Sequence, residues 1–266
     1  VNLECAIGDR GESLPKKAYR FRAPPSAAAS LALAGIDVVT LANNHAMDYG
    51  SEGLADTLRL LDTVGIAHVG AGTNAAEAHA PAILERNGLR IAFLGYVDVP
   101  VESGGWDARS VIATDSSPGL AWADLDQIAS DVSAAKARAD LVVVFMHSGF
   151  EYWDKPNRVQ VEIAHTAIDA GAALVIGAHS HTLQGIEHYH GGAIAYSLGN
   201  FVFEIDQSRD SAMLKVNLSR AGVESLEWIP VVLDPNDGRP MIAEGEARQR
   251  ILDNIERLSA DLTGGG

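Results

Sequence analysis

The sequence predicts an α/β fold in which mixed β-sheets are flanked by helices. Between Ile36 and His181, short apolar runs typical of buried strands alternate with amphipathic helical segments. After His181 the pattern changes to runs that alternate apolar and polar residues and are separated by glycine turns, which indicates antiparallel hairpins. No repeat or linker divides the 266 residues, so we expect a single domain over 1–266.

Predicted helices have leucine, isoleucine or valine on one face and tend to stop at a glycine. They cover residues 26–34, 51–64, 121–139, 159–170 and a C-terminal helix within 241–262. Ser26 is the expected N-cap of the first helix. Each of these helices can bury one face against a sheet, as the α/β class requires.

Predicted strands are the apolar runs between these helices and the alternating runs of the C-terminal part. They cover residues 36–41, 66–69, 81–85, 89–96, 140–146, 174–176, 186–189, 193–196, 212–218 and 223–232. Asn87-Gly88 predicts a tight hairpin between two of them, and Gly70-Ala71-Gly72 is expected to be a turn. Residues 97–119 lack either period and are long enough for a lid or binding loop.

Composition limits the function classes. The net charge of −15 disfavours nucleic acid and anionic membranes as partners, and no run reaches the 18 or so apolar residues of a membrane span. One cysteine, Cys5, excludes an intrachain disulfide and leaves the compartment open. The chain opens at Val1 rather than Met, which is typical of a trimmed end. Both a cytoplasmic location and an extracellular one, tethered through a preceding segment, agree with these features.

Metal-type ligands follow the apolar runs at several strand ends. They are Glu4, Asn44, His45, His147, His179 and His181. Because ligands of α/β sheets bind outside the carboxyl ends of the strands, we expect these side chains to share one site. Imidazole, carboxylate and amide oxygen together favour Mn, Zn, Fe or Ni over Ca. His and Glu can also transfer protons without a metal, so a metal need not be obligatory.

The motifs around these residues resemble the CapA/PgsA family of poly-γ-glutamate capsule synthesis, which has the calcineurin-like metallophosphoesterase fold. The matching stretches are Asn2-Leu3-Glu4, Leu41 to His45 with Asp48-Tyr49-Gly50, Gly70-Ala71-Gly72, His147-Ser148-Gly149 with Glu151-Tyr152, Ile168 to Ala172, Gly177 to His181, and Tyr196 to Phe201. The resemblance covers residues 1 to about 233.

The resemblance implies a mixed-sheet sandwich flanked by helices and a dinuclear metal site. Glu4, Asn44, His147, His179 and His181 would be metal ligands, and His45 would face the substrate. The family pattern opens with a strand ending in Gly-Asp, whose Asp is a further ligand, and no residue of this sequence matches that Asp.

Further candidates surround this set. Asp48 either orients His45 or caps a helix, and Glu151 is either an acid/base group or a solvated residue. The basic stretch 10–25 is either solvated or faces an anionic substrate through Arg20 and Arg22. Two more residues are candidate substrate contacts with equally ordinary alternatives: Tyr152, which could simply pack, and Arg209, which could form a surface ion pair.

Three functions follow from the residues and the resemblance. An enzyme could modify a peptide or a γ-glutamyl polymer either by metal-assisted hydrolysis of an amide or phosphoester or by abstraction and return of a Cα proton, which is epimerisation. The third is a non-catalytic scaffold of a capsule-synthesis complex. We expect an enzyme, because a decayed site would have lost its ligands piecemeal. The oligomeric state stays open.

Overall fold

The computed structural model describes residues 1–102, 104–203 and 209–263 and has the predicted α/β architecture. Its strands are β1 (Ala6–Ile7), β2 (Arg22–Ala23), β3 (Val38–Thr40), β4 (Ala67–Val69), β5 (Ala71–Gly72), β6 (Ala82–Arg86), β7 (Leu89–Asp98), β8 (Gly119–Leu120), β9 (Leu141–Ser148), β10 (Leu174–Ala178), β11 (Ile186–Tyr189), β12 (Gly192–Ala195), β13 (Asp210–Ser219), β14 (Gly222–Leu233) and β15 (Pro240–Ile242). Its helices are α1 (Ser26–Leu33), α2 (Gly50–Thr63), α3 (Ala75–Ala78), α4 (Leu125–Lys136), α5 (Arg158–Asp169) and α6 (Gly245–Thr263), with a 3₁₀ turn at Ala108–Val111.

A six-stranded sheet with the order β11-β12-β10-β9-β7-β6 forms the centre of the described chain. Its inner strands β7, β9, β10 and β12 are parallel, whereas the edge strands β6 and β11 run antiparallel to their neighbours. All eight residues of β9 are buried, as a strand covered on both faces requires. Its residue His147 lies beside Val97 of β7 and Ala178 of β10, so the carboxyl ends of these strands meet at one edge.

Two layers cover the faces of this sheet, and residues of β9 alternate between them. Val142, Val144 and Met146 pack in one core with residues of α4 and α5, such as Val132 and Ile163. Val143 faces the opposite way and packs with the β13–β14 hairpin, through Val216, Val223 and Leu226. Full burial of such side chains contributes about 1.5–3 kcal/mol each, so the two cores hold the strand ends firmly in place.

The N-terminal residues form a further layer beside the sheet. Leu54, Leu58 and Leu61 of α2 are buried in a core that includes Ile7 and Val39. The backbone of residues 1–3 runs along β3, with the amide of Leu3 donating to the carbonyl of Thr40 at 3.0 Å. This pairing brings Glu4 next to the segment that follows β3.

Several element boundaries differ from the prediction. The C-terminal helix begins at Gly245 rather than in the region of 241, because Pro240–Ile242 pairs with β14 as β15. Ser26 is the first helical residue and not the N-cap; Pro25 holds that position without a side-chain cap. The expected turn at 70–72 was wrong, since Ala71 and Gly72 pair with β8.

Other boundaries moved by a few residues. The helix predicted from 121 begins at Leu125, where the side chain of Asp124 caps it by accepting from the amide of Gln127. His147 lies within β9 rather than after it. The Asn87-Gly88 hairpin is confirmed, with φ values of 50° and 75°. None of the helices within the described ranges combines the length and the apolar character that a membrane crossing needs.

Candidate metal centre

His147 and His179 face each other at the carboxyl edge of the central sheet. His147 is fixed by its place in β9, and His179 directly follows β10. Their ring centroids lie 4.8 Å apart, and both side chains are buried. The neighbouring-strand register of β9 and β10 therefore brings together two imidazoles that are 32 positions apart in the sequence.

Glu4 completes a group of three potential ligands. One ligand atom from each of Glu4, His147 and His179 lies within 4.8 Å of the others. The amide of Asn2 orients the carboxylate by donating to Glu4 Oε2 at 3.1 Å, and the same nitrogen lies 3.3 Å from His147 Nδ1. The remaining oxygen, Oε1, is 3.6 Å from His147 Nε2.

Asn44 lies on the other side of His147. Its Oδ1 is 2.8 Å from His147 Nε2, so the amide oxygen points into the same group of ligands. Asn43, the residue before it, is a structural link: its side chain donates to the Leu3 carbonyl at 2.9 Å and accepts from the His45 amide at 3.0 Å. The loop after β3 is thereby tied to the N-terminal segment that carries Glu4.

Buried polar atoms without a partner lie at this centre. Among the described residues they are Glu4 Oε1, His179 Nδ1 and Ser148 Oγ. An unpaired buried polar atom costs about 1–3 kcal/mol, so native proteins rarely leave such atoms unsatisfied. A divalent cation would satisfy Glu4 Oε1 and His179 Nδ1 together, and the carboxylate–imidazole donor set suits Zn, Mn, Fe or Ni. The residues present therefore fit a metal ion.

The protonation states of the two imidazoles agree with this fit, whereas Glu4 must lose a proton to become a ligand near pH 7. Burial lowers the pKa of His147 well below its ordinary value and that of His179 to about 3, and repulsion by the neighbouring imidazoles acts in the same direction. Both rings are therefore neutral near pH 7 and offer a lone pair to a cation. Burial raises the pKa of Glu4 to about 8, although the hydrogen bond from Asn2 opposes this shift. A cation beside Glu4 would favour its charged form.

His181 lies at the rim of this group. Its ring centroid is 6.2 Å from that of His179, and the side chain of Asn200 fixes its ring through an Oδ1···Nδ1 contact of 2.8 Å. The backbone of this segment is left-handed at both histidines: φ is 97° at His179 and 58° at His181. The left-handed backbone keeps the two imidazoles close to each other, at the edge where His147 lies.

His45 forms a separate pair with Asp48. His45 Nδ1 lies 2.8 Å from Asp48 Oδ2, and both side chains are buried. The backbone amide of Phe21 donates to the same Asp48 oxygen at 2.6 Å. Asp48 precedes α2, and α2 begins without a side-chain cap, so the structure places Asp48 in the orienting role rather than the capping one. With Nδ1 occupied, Nε2 is the nitrogen left to exchange a proton.

The remaining predicted residues lie on the exterior. Tyr152 is about two-fifths exposed, with its ring 6.0 Å from that of His181, so it borders the centre. Glu151 beside it is exposed, with a carboxylate that acts electrostatically on Glu4. Arg20 and Arg22 are exposed on the basic stretch and reach backbone carbonyls of that stretch at 3.4–3.5 Å. Arg209 is also exposed, and Asp206, its predicted neighbour, lies outside the described residues. The roles of these residues stay predictions.

Residues that the sequence did not single out complete the surroundings. Asn2 contacts Glu4, Asn200 contacts His181, and Ser148 adjoins His147. All three lie in the family motifs, and Asn2 and Ser148 stand within two positions of a candidate ligand in the sequence. Two others, Lys17 and Glu102, lie in irregular segments and had no such signal. Phe21 and Phe203 flank the rings of His45 and His181 at centroid distances of 4.3 and 5.2 Å.

Mixed sheets flanked by helices, with histidine, asparagine and carboxylate side chains at the strand ends, agree with the expected calcineurin-like metallophosphoesterase fold. The structure is similar to that of a candidate 5′-nucleotidase from Staphylococcus aureus in complex with alpha-ketoglutarate, with a TM-score of 0.51 and 18% sequence identity. The match covers 88% of this chain and 47% of that chain. At this identity the likeness establishes the fold.

The sequence identifies the family. Residues 1–205 match the family described as "Bacterial capsule synthesis protein PGA_cap", and the chain belongs to this family. It is 37% identical over 214 residues to the "Capsule biosynthesis protein CapA" of Bacillus anthracis, a match that covers 78% of this chain and 50% of that protein. It is 36% identical over 225 residues to the "PGA biosynthesis protein CapA" of Bacillus subtilis, covering 84% and 57% respectively. The chain thus spans about half the length of the curated relatives it matches.

Proposed function

We propose that this chain is a metal-assisted enzyme that acts on a peptide-like γ-glutamyl chain. The observation that carries the proposal is that Glu4, His147 and His179 each bring a ligand atom within 4.8 Å of the others, while Glu4 Oε1 and His179 Nδ1 are buried without a hydrogen-bond partner. Asn44 and His181 extend this donor set on either side. Mn, Zn, Fe or Ni is the class of ion that suits it.

The chain's own residues divide the work at such a site. A divalent ion, when bound, supplies Lewis acidity that polarises a carbonyl or phosphoryl oxygen. His45, held by Asp48 through Nδ1, accepts or donates a proton at Nε2. Asn200 keeps the His181 ring in one orientation, and the rings of Phe203 and Tyr152 lie beside it at centroid distances of 5.2 and 6.0 Å. In hydrolysis, water would add to the polarised carbonyl or phosphoryl centre, and His45 would take a proton from that water and return it to the leaving nitrogen or oxygen.

The proposed substrate class follows from the family. The curated relatives are named for capsule and PGA biosynthesis, and we infer from these names that the substrate is a chain of linked amides. A γ-glutamyl polymer is anionic, whereas this chain carries a net charge of −15. Local cations must therefore receive the polymer, and the exposed side chains of Arg20, Arg22 and Arg209 are the candidates.

Epimerisation at Cα is the second candidate. The His45–Asp48 pair favours it, because this pair can exchange a proton without a metal. An epimerase needs an acid and a base on opposite faces of Cα, and Glu4, His147 or Glu151 could supply the second group. The reaction would leave the polymer unbroken, which separates it experimentally from hydrolysis.

One experiment separates these functions. Poly-γ-glutamate oligomers are incubated with the protein in D2O, with added Zn or Mn or with EDTA, and followed by mass spectrometry. Cleavage that EDTA abolishes supports the proposal, whereas deuterium at Cα of an unbroken chain that persists in EDTA supports metal-free epimerisation instead. Inertness together with absence of bound metal by elemental analysis would favour the non-catalytic scaffold.

Two histidine variants control for the site. His179→Ala removes one of the unpartnered donors and should abolish the activity, while His188→Ala changes an exposed histidine of β11 and should leave it intact. Full activity of His179→Ala would refute the proposed centre.

A further inference from the structure

Lys17 is a buried charge that the proposed chemistry does not use. Its side chain is fully buried, although it belongs to the basic stretch 10–25 that was expected to be solvated or to face substrate. Its ammonium donates to the backbone carbonyl of Asn44 and to Asp48 Oδ1, and it forms an ion pair with Glu102 Oε1 at 2.9 Å. The ring of Trp106 lies 4.4 Å from the same nitrogen.

These contacts surround the ammonium with oxygens. An ammonium carries three N–H donors and no acceptor, and Lys17 donates to two oxygens and lies 2.9 Å from a third. Because its side chain is fully buried among these partners, Lys17 is not placed to bind substrate. Charged side chains are rarely buried without partners, and here one cation lies between two carboxylates.

Each carboxylate in turn orients a residue of the candidate centre. Asp48 holds the His45 ring through its other oxygen at 2.8 Å. Glu102 Oε1 accepts from Asn44 Nδ2 at 3.0 Å, and holding this nitrogen directs the opposite amide atom, Oδ1, toward His147 at 2.8 Å. Without Glu102 the Asn44 amide would be free to present nitrogen instead of oxygen to the ligands.

The three members of this network come from different segments. Lys17 lies in the loop before β2, Asp48 in the loop after β3, and Glu102 in the loop after β7. Their charges are brought together only in the folded protein, at the back of the loop that carries Asn44 and His45. Contacts of this kind behind metal ligands typically affect metal affinity 10–100-fold.

We propose that Lys17 is a positioning residue that, through Asp48 and Glu102, sets the His45 ring and the Asn44 amide oxygen for the metal centre. The roles of Asn44 in metal binding and of His45 toward substrate rest on the proposed function. The effect of Lys17 on the orientation of these two side chains is independent of that function, so its test includes measurements that need neither metal nor activity.

The test compares Lys17→Met, which keeps the length of the side chain but removes its charge, with the conservative Lys17→Arg. Lys16→Met is the matched control, because Lys16 is the exposed neighbour on the same stretch. The 15N shifts of the His45 ring and the Asn44 side-chain amide are recorded by NMR without metal. Zinc affinity is then measured by titration calorimetry on the same proteins.

The expected result is a loss of the single His45 tautomer and a shifted Asn44 amide signal in Lys17→Met, with zinc affinity reduced by about tenfold or more. Lys17→Arg should restore most of the NMR signals and of the zinc affinity, and Lys16→Met should match the unmodified chain in both measurements. A folded Lys17→Met with unchanged His45 and Asn44 signals would overturn the proposal. If zinc fails to bind even the unmodified chain, the proposed function fails, while the NMR comparison still decides the role of Lys17.

A second variant covers the case in which Lys17→Met does not fold. Glu102→Gln keeps the shape of the side chain and an acceptor for Asn44 but removes one charge from the network. It should shift the Asn44 amide signal and lower zinc affinity by at least about threefold, with the His45 signal less affected because Asp48 remains. Unchanged Asn44 and zinc affinity in this variant would equally overturn the proposal.

Discussion

Gly177 of β10 is the position where a single added methyl group should disturb both stability and the candidate metal centre. An ideal Cβ there would lie 2.0 Å from the carbonyl oxygen of Tyr196, 2.8 Å from its carbon and 3.2 Å from Met146 Cε. The first two atoms are backbone and belong to the segment directly after β12, so no side-chain rotation relieves the contact. One chain must move by about 1.4 Å before this contact reaches the 3.4 Å of ordinary van der Waals contact.

The cost of Gly177→Ala can be estimated from this overlap. Overpacking in a filled core costs about 1–3 kcal/mol, and the upper end applies here because the opposing atoms are backbone. The shift also moves Ala178 and His179, which follow Gly177 along the chain and approach His147 of β9. We therefore expect zinc affinity to fall together with stability.

Urea unfolding followed by tryptophan fluorescence measures the loss, as a lower midpoint at an unchanged slope. Gly35→Ala is the matched control: φ is 79° there and an added Cβ meets nothing within 4 Å. That variant bears only the backbone strain of a left-handed residue, about 1–2 kcal/mol, and should keep full zinc affinity. The reasoning is refuted if Gly177→Ala is no less stable than Gly35→Ala and binds zinc as tightly as the unmodified chain.

Three further predictions concern other parts of the molecule. Zinc at 100 times its dissociation constant should raise the free energy of unfolding by about 2.7 kcal/mol, and EDTA should reverse the gain in a thermal melt. Asn200→Ala should leave the His181 ring free to rotate and weaken zinc binding, which calorimetry would show. Burial alone would raise the pKa of Asp56, but hydrogen bonds from Arg59 and from a backbone amide outweigh it and hold that pKa below its ordinary 3.8. Because the folded-state pKa is the lower one, the stabilisation is complete above about pH 5 and is lost on acidification. Asp56→Asn should therefore cost about 1–3 kcal/mol at pH 7 and less as the pH falls below 3.8. Urea unfolding measures this loss, with exposed Glu224→Gln as an unaffected control.

Much of the fold could be predicted because its signals are local. The apolar run of β9 and the leucine stripe of α2 identify their elements, and Asn87-Gly88 fixes a hairpin. Short strands such as β5 and β15 were not predicted, because two or three residues are too few to show an alternation of apolar and polar side chains. They form only because a partner strand lies beside them. Helix starts were displaced where a turn of irregular chain precedes the cap, as before Asp124.

The meeting of Glu4, His147 and His179 could also be predicted, because a histidine or carboxylate after a buried strand is a local pattern that parallel strands bring to one edge. The residues that hold these side chains in position could not be predicted. Lys17 and Glu102 meet only through the packing of two irregular loops, and a lysine in a basic stretch is ordinarily solvated. The sequence contains no sign that Lys17 turns inward while its neighbours Lys16 and Arg20 stay exposed.

The backbone at the end of β10 shows why this stretch is built around its histidines. A left-handed conformation costs a residue with a Cβ about 1–2 kcal/mol, yet His179 and His181 both adopt one, at φ values of 97° and 58°. Glycine at either position would relieve the strain but would remove an imidazole. Such strain persists only where the surroundings enforce it, and Asn200 at 2.8 Å from His181 and the strand β10 before His179 provide that enforcement. A histidine retained where glycine fits better is best explained by what its ring nitrogen does, and at His179 that nitrogen has no partner within the described protein.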